Sequence, residues 1–473
     1  MKAYNNEGMK RTYEKSPGFA HRILRIFTVV YPGEAPTAFL LTFNIFLLLT
    51  AYYILKPIRE ALILAGKGAE LRSYLSGAIA ILFIPVIKIF SDIASKVPRQ
   101  ILITWVTLFF ISNLVLFYVL NLIGIPLGTM GIIFFVWIGI FNLMVIAQFW
   151  GFANDLYTHE AGKRLFPIVM FGANFGALWG PNIHNWLVGS LGLYQLMLVA
   201  GGILGICILL TLIIHKREIK RTEDKAAKVS PENESRKKVQ EKPLKKGGGF
   251  RFVFKSRYLL YIAFLILLLN FVNTNGEYIL GKVIIHNADK AILIGETGGL
   301  DKPELIGKLY ADFYFIVNLI AAVIQLFLMS RIFKWFGVRG ALFILPLVAL
   351  GGYFFIAFGA TLIIVRWVKT FENSTDYSIM NATRHALFLI TSREAKYKAK
   401  AAIDTFFWRA GDVLSALLVF LGTTYLAFNI ENIARVAQFN VAIVVIWIIL
   451  CIFIMREHKE LSAKRKISNE NFK

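Results

Sequence analysis

Apolar runs of about twenty residues recur along the chain, separated by short polar breaks. Each has the length a helix needs to cross roughly 30 Å of hydrocarbon. Read in order, they predict about twelve spans. Six lie near 36–64, 71–93, 100–121, 128–153, 165–189 and 193–214, and six near 257–282, 305–330, 339–360, 361–391, 402–428 and 435–455. Between the two sets the pattern fails. Lys216 to Lys255 is rich in Lys, Arg and Glu, contains Gly247-Gly248-Gly249, and reads as a solvated, flexible linker. The expected fold is an all-α membrane protein of two six-helix halves, 36–215 and 256–455. A segment 1–35, the linker 216–255 and a tail 456–473 complete it.

Composition supports this. With 57% hydrophobic residues and 41 Phe among 473 residues, the chain lacks the polar surface a soluble domain needs. The two cysteines, Cys207 and Cys451, lie in apolar runs, so no disulfide framework or thiol metal site is expected. The net charge of +23 changes the picture only through its distribution. With both termini and the linker on one side, that side holds 39 Lys and Arg; the other holds 7, among them Arg72 at the 64–71 break. This bias places both termini in the cytoplasm and accounts for the charge without nucleic acid. No short apolar run precedes a small-residue cleavage site, so no cleaved signal peptide is expected.

The polar residues inside the spans carry the candidate chemistry. The tenth span holds Arg366, Lys369, Glu372, Asp376 and Arg384. At 100° per residue, Arg366, Asn373, Tyr377 and Arg384 fall within about 20° of one line, with Lys369 and Asp376 beside it. A charge at the bilayer centre costs at least roughly 2.5–3.5 kcal/mol, so this helix is expected to line a wet substrate pathway. On the first span Lys56, Arg59 and Glu60 share one face, suited to contacting an anion or, equally, to pairing with one another at the membrane edge. On the seventh, Asn270, Asn273, Thr274 and Glu277 share a face, where Glu277 carries a proton, pairs with a substrate-binding arginine, or is satisfied by Lys282 or by a charge on the first span. On the eleventh, Asp404, Arg409 and Asp412 suggest coupling or gating ion pairs. Gly172, Gly176 and Gly180, spaced by four, signal close helix packing. No phosphate-binding loop of an ATP-driven pump and no H-E-x-x-H site is present, so neither enzyme activity nor a cofactor is expected.

Two further patterns suggest ancestry. The short basic loops Ser91 to Arg99 and Ser330 to Arg339 follow the second and eighth spans and resemble the corresponding loops of the major facilitator superfamily. Phe149-Trp150-Gly151-Phe152-Ala153-Asn154, then Glu160-Ala161-Gly162-Lys163-Arg164-Leu165-Phe166 and Gly172-Ala173-Asn174-Phe175-Gly176, resemble motifs of the ATP/ADP translocase family of bacterial and plastid nucleotide transporters. Leu55 to Leu64 and Lys400-Ala401-Ala402-Ile403-Asp404 are similar to further stretches of that family, with Arg59 where plastid members carry a nucleotide-recognising lysine. The chain departs from the family at Trp137-Ile138-Gly139, which lacks an acidic residue, at Asp376 in place of a lysine, and at Gly411-Asp412-Val413-Leu414. The resemblance implies a monomeric, bacterial inner-membrane antiporter.

The function expected from the residues together is secondary transport, by alternating access, of a small anionic solute such as a nucleotide or phosphate compound. Lys56, Arg59, Arg366, Lys369, Asn373, Tyr377 and Arg384 are expected to bind it. Glu60, Glu277, Asp376, Asp404, Arg409 and Asp412 are expected to couple or gate, with protons as the coupling ion. Two alternatives remain open: a proton-coupled exporter of a lipid or amphiphile, and a membrane partner or sensor whose charges are locked pairs.

Overall fold

The computed structural model describes residues 31, 34–94, 96–157, 159–226, 248–359, 361–392, 395–426, 428 and 430–470. The N-terminal segment to residue 30, most of the basic linker (227–247) and Arg393-Glu394 of the last inner loop lie outside the described residues.

The first helical element, Ala35–Ala94, is continuous through 60 residues except at Gly68, whose φ of 85° breaks it. That positive φ favours glycine, and it turns the element into two rods, α1 (35–67) and α2 (69–94). The first half continues with α3 (Arg99–Leu122), α4 (Leu127–Leu156), α5 (His159–Leu191) and α6 (Leu193–Ala226). After a short helix at Gly249–Lys255, the second half comprises α7 (Arg257–Leu293), α8 (Lys302–Ala341), α9 (Ile344–Phe358), α10 (362–390), α11 (Lys400–Tyr425) and α12 (Ala434–Glu470).

Local chemistry sets several of these starts. Ser256 and Thr361 cap α7 and α10 by accepting from Leu259 N and Ile364 N. Asp301 and Glu304 form a reciprocal capping box at the start of α8. Gly337, with φ of 64°, bends the end of α8 toward α9. Among the described helices eight are long and apolar enough to cross a bilayer by themselves, with Ala35–Ala94 counted once. Of the others, Ile344–Phe358 has only 15 residues, and α10 carries Arg366, Lys369, Glu372, Asp376 and Arg384.

The expected packing role of the α5 glycines holds. A Cβ on Gly172 or Gly176 would land on the carbonyl oxygen of Thr42 or Phe46 of α1, and one on Gly180 would sit 2.7 Å from Thr50 O. α1 and α5 are therefore in backbone contact. The two halves meet where α2 faces α11 and α5 faces α8: Tyr74 Oη lies 3.3 Å from Thr423 Oγ1, and Asn185 donates to Asp312 at 2.6 Å.

Among the described residues Phe388–Ile390 is 3₁₀-helical and four stretches are wider than α-helix. Ile324–Leu328, Asp376–Met380, Ala395–Ala399 and Ile403–Phe407 are π-helical. Each π-turn inserts a residue into the helical repeat. In α10 this overturns the expected stripe, because an extra residue rotates every later side chain by about 100°. Arg366 is half-buried with no ion pair among the described residues, Lys369 and Asn373 are buried, Tyr377 is exposed, and Arg384 turns to Asp404 of α11.

Candidate functional site

A continuous line of alternating charges crosses between the halves. Glu60, fully buried on α1, pairs with Arg59 beside it and with Arg72 of α2, whose Nε donates at 2.6 Å. Tyr314 of α8 donates to the same glutamate at 3.4 Å. Arg72 also reaches Glu277 of α7 at 3.2 Å. Asn373 donates to Glu277 at 3.2 Å, and Lys369 Nζ lies 3.8 Å from it. Lys369 in turn donates to Glu372 and to Asn273 Oδ1, each at 2.9 Å, and Tyr353 donates to Glu372 at 2.8 Å.

Six charges thus sit in a water-poor centre, each with a partner. The first half contributes two arginines and one glutamate, a net +1. The second contributes two glutamates and one lysine, a net −1. Burying any of these ions alone costs several kcal/mol, and only near-complete pairing offsets that.

Lys56 is the exception. The residue is 8% exposed, and its ammonium has no carboxylate within salt-bridge range among the described residues. It faces rings instead: its Nζ is 3.9 Å from the centroid of Tyr314, 5.2 Å from Tyr53 and 5.9 Å from Tyr377. Such rings attract a cation through their quadrupole but leave its N–H donors unmatched. Pro57 follows directly and has no N–H to give to the Tyr53 carbonyl one turn earlier.

A second group lies toward the linker side. Lys400 and Arg384 flank Asp404 at 3.0 and 3.9 Å. Arg409 pairs with Asp412 at 3.1 Å, and Asp412 also accepts from Asn270 and Thr274. The polar face of α7 is therefore divided, with Asn270 and Thr274 serving α11 and Asn273 and Glu277 serving the ion line. Asp376 is half-buried between the two groups, without an ion pair among the described residues, within electrostatic range of Arg384 and Lys369. A cleft of about 810 Å³ opens here, lined by Phe83 of α2 and by Arg384, Asp404, Trp408 and Arg409. At the other end the halves are shut by Asn185–Asp312 and by the Lys282–Glu70 ion pair.

The structure brings Lys56, Arg59, Glu60, Glu277, Lys369 and Asn373 together, with Tyr377 at their edge. It does not bring Arg366 in. It also corrects two expectations. Arg72, counted with an outer loop, is 4% exposed and central, because the chain bends at Gly68 without a loop and the helix resumes at once. Lys282 does not satisfy Glu277; it pairs with Glu70. Arg72, Glu372, Tyr314 and Tyr353 were absent from the expected site. An opposite charge three residues from Lys369 in an apolar helix was the signal for Glu372.

Comparisons agree with this architecture. The chain is similar to ADP,ATP carrier protein 1 of Chlamydia trachomatis, with 23% identity over 312 residues, and to that of Chlamydia pneumoniae, with 24%. These matches span 57% and 59% of this chain, but only 54% and 57% of the relatives' own length. The nucleoside transporter NupG superposes with a TM-score of 0.61 at 13% identity, covering 89% of this chain and 98% of that one. A bacterial homologue of the human lysosomal transporter Spinster, in an inward-facing and unoccupied conformation, gives 0.58 at 14%, covering 92% and 99%. At such identities the likeness shows the fold alone. The sequence profile of the Major Facilitator Superfamily matches residues 35–390, and with this match, twelve long helical rods among the described residues and an ion-lined seam between two halves, the chain belongs to that superfamily of membrane transporters.

Proposed function

We propose that this transporter moves an anionic, phosphorylated solute of the nucleotide class by alternating access, with the linker side cytoplasmic. The observation that carries this reading is Lys56, a buried ammonium left without a counter-ion beside a fully paired ion line. An anion seated against Lys56 and Arg59 supplies the missing charge, and Tyr53, Tyr314 and Tyr377 supply ring surface for a planar group.

The ion line then acts as the gate on the far side. Opening it separates Arg72 from Glu277, which leaves a net positive surface on the first half and a net negative one on the second. A bound anion stabilises the first. A proton on Glu277 or Asp376 would relieve the second. An empty carrier has neither, which favours exchange over net flow. The similarity to ADP,ATP carriers supports the nucleotide class.

The test is uptake of labelled ATP, ADP and other nucleotides by proteoliposomes, with and without a preloaded counter-substrate. Preloading is expected to raise uptake by about tenfold or more. No uptake of any common nucleotide in either condition would sink the nucleotide reading.

A further inference from the structure

The linker-side cleft is distinct from the ion line, and its cationic wall has a particular construction. Arg384 lies with Cζ 5.2 Å from the Trp408 ring centroid, and Arg409 with Cζ 4.6 Å from that of Phe83. A guanidinium laid on a ring is fixed in plane while its N–H edge stays free for an acceptor. Each has five N–H donors. Arg409 commits Nη1 to Asp412, and Arg384 commits Nη2 to Asn381 at 3.2 Å. Arg384 Nε is buried without a hydrogen-bond acceptor, and Asp404 Oδ1, 3.9 Å away, is buried without a donor. Polar capacity in this wall is therefore unspent.

Its position relative to Lys56 is also fixed. Tyr377, 5.9 Å from Lys56 Nζ, precedes Arg384 by seven residues, which is about 10 Å along a helix. Tyr52 of α1 lies within electrostatic range of both Arg59 and Arg409.

We infer that this cleft is a second anion subsite, in which Arg384 and Arg409 take the phosphate or carboxylate end of a solute entering from the linker side. A solute that fills both subsites carries two anionic or polar groups about 10 Å apart; inorganic phosphate is too small to do so. The inference rests on reading Lys56 and Arg59 as the central anion site.

Thr405 lines the cleft and is exposed, while Cys207 and Cys451 are buried, so Thr405→Cys gives one reactive thiol. Its maleimide labelling rate is measured on the purified full chain with pyrophosphate, ADP, phosphate or adenosine at millimolar concentration. Pyrophosphate and ADP are expected to slow labelling by about tenfold, and adenosine to leave it unchanged. Adding Arg384→Gln and Arg409→Gln is expected to abolish the protection. If that combined variant does not fold, the contrast between pyrophosphate and adenosine in Thr405→Cys alone decides. Protection in phosphatidylglycerol nanodiscs, absent in phosphatidylcholine and without added anion, keeps the subsite and assigns it to a lipid headgroup. Labelling unaffected by any of these anions overturns the inference. The readout needs no transport, so protection in a protein that carries no nucleotide retains the subsite and discards only the nucleotide reading.

Discussion

The two halves carry three charges each to the seam, but on different helices. In the first half Arg59, Glu60 and Arg72 sit on regular α-helix held by glycine contacts between α1 and α5. In the second, among the described residues, all four π-helical segments occur, and α10 changes register at Asp376–Met380, just past Lys369 and Glu372. Helical geometry read from spacing therefore holds through the first half and fails in the second beyond residue 376. The halves also differ in how their charges are backed. Among the described residues Glu60 is the one carboxylate paired with Arg59 and shares Arg72 with Glu277, whereas Lys369 has Glu372, Glu277 and Asn273 to share it.

The largest expected effect comes from that last difference. Glu60→Ala leaves Arg59 without a carboxylate and Arg72 with Glu277 alone, and is expected to destabilise by about 3–5 kcal/mol. Glu372→Ala, with Lys369 still partnered, is expected to lose about 1–3 kcal/mol. Thermal unfolding in detergent compares them, and equal losses would break the asymmetry. Next, Gly176→Leu drives a side chain into α1 and is expected to lose about 1–3 kcal/mol or more, whereas Gly351→Leu on the open face of α9 stays within about 0.5 kcal/mol. Exchanging Arg72→Glu with Glu277→Arg tests the joint between the halves. Each single change weakens it, and the pair is expected to recover about 0.5–3 kcal/mol by a double-mutant cycle.

Smaller in stability but sharper in function is Lys56→Met. Removing an ammonium that has no counter-ion is expected to leave unfolding within about 1 kcal/mol while weakening nucleotide binding about tenfold or more, read by isothermal titration. Undiminished binding would remove Lys56 from the site. Arg366→Gln, outside the ion line, is expected to change stability by less than about 0.5 kcal/mol and to leave binding alone.

Much of this was legible in the sequence. Apolar run lengths placed every rod, and the basic loop before Arg99 fell where predicted, whereas Ser330 to Arg339 is helical and bends only at Gly337. Lys56, Arg59, Glu60 and Glu277 stood out because an ion inside an apolar run needs a reason. Arg72 did not, because a hydropathy break looks the same whether the chain loops out or turns on one glycine. Arg366 and Glu372 precede the π-turn, and there spacing gives a direction around the helix without saying which direction faces the seam; beyond residue 376 the uniform helix assumed through α10 also fails. A π-turn is a backbone choice settled by tertiary packing, and Asp376-Tyr377-Ser378-Ile379-Met380 bears no mark of it.

The bend at Gly68 has a mechanical consequence. Glu60 lies eight residues before it and Arg72 four after, and the ion pair between them braces the elbow like a strut. With that strut in place α1 and α2 turn as one lever. Arg72, which completes the strut, also pairs with Glu277, so the elbow and the joint between the halves share one side chain.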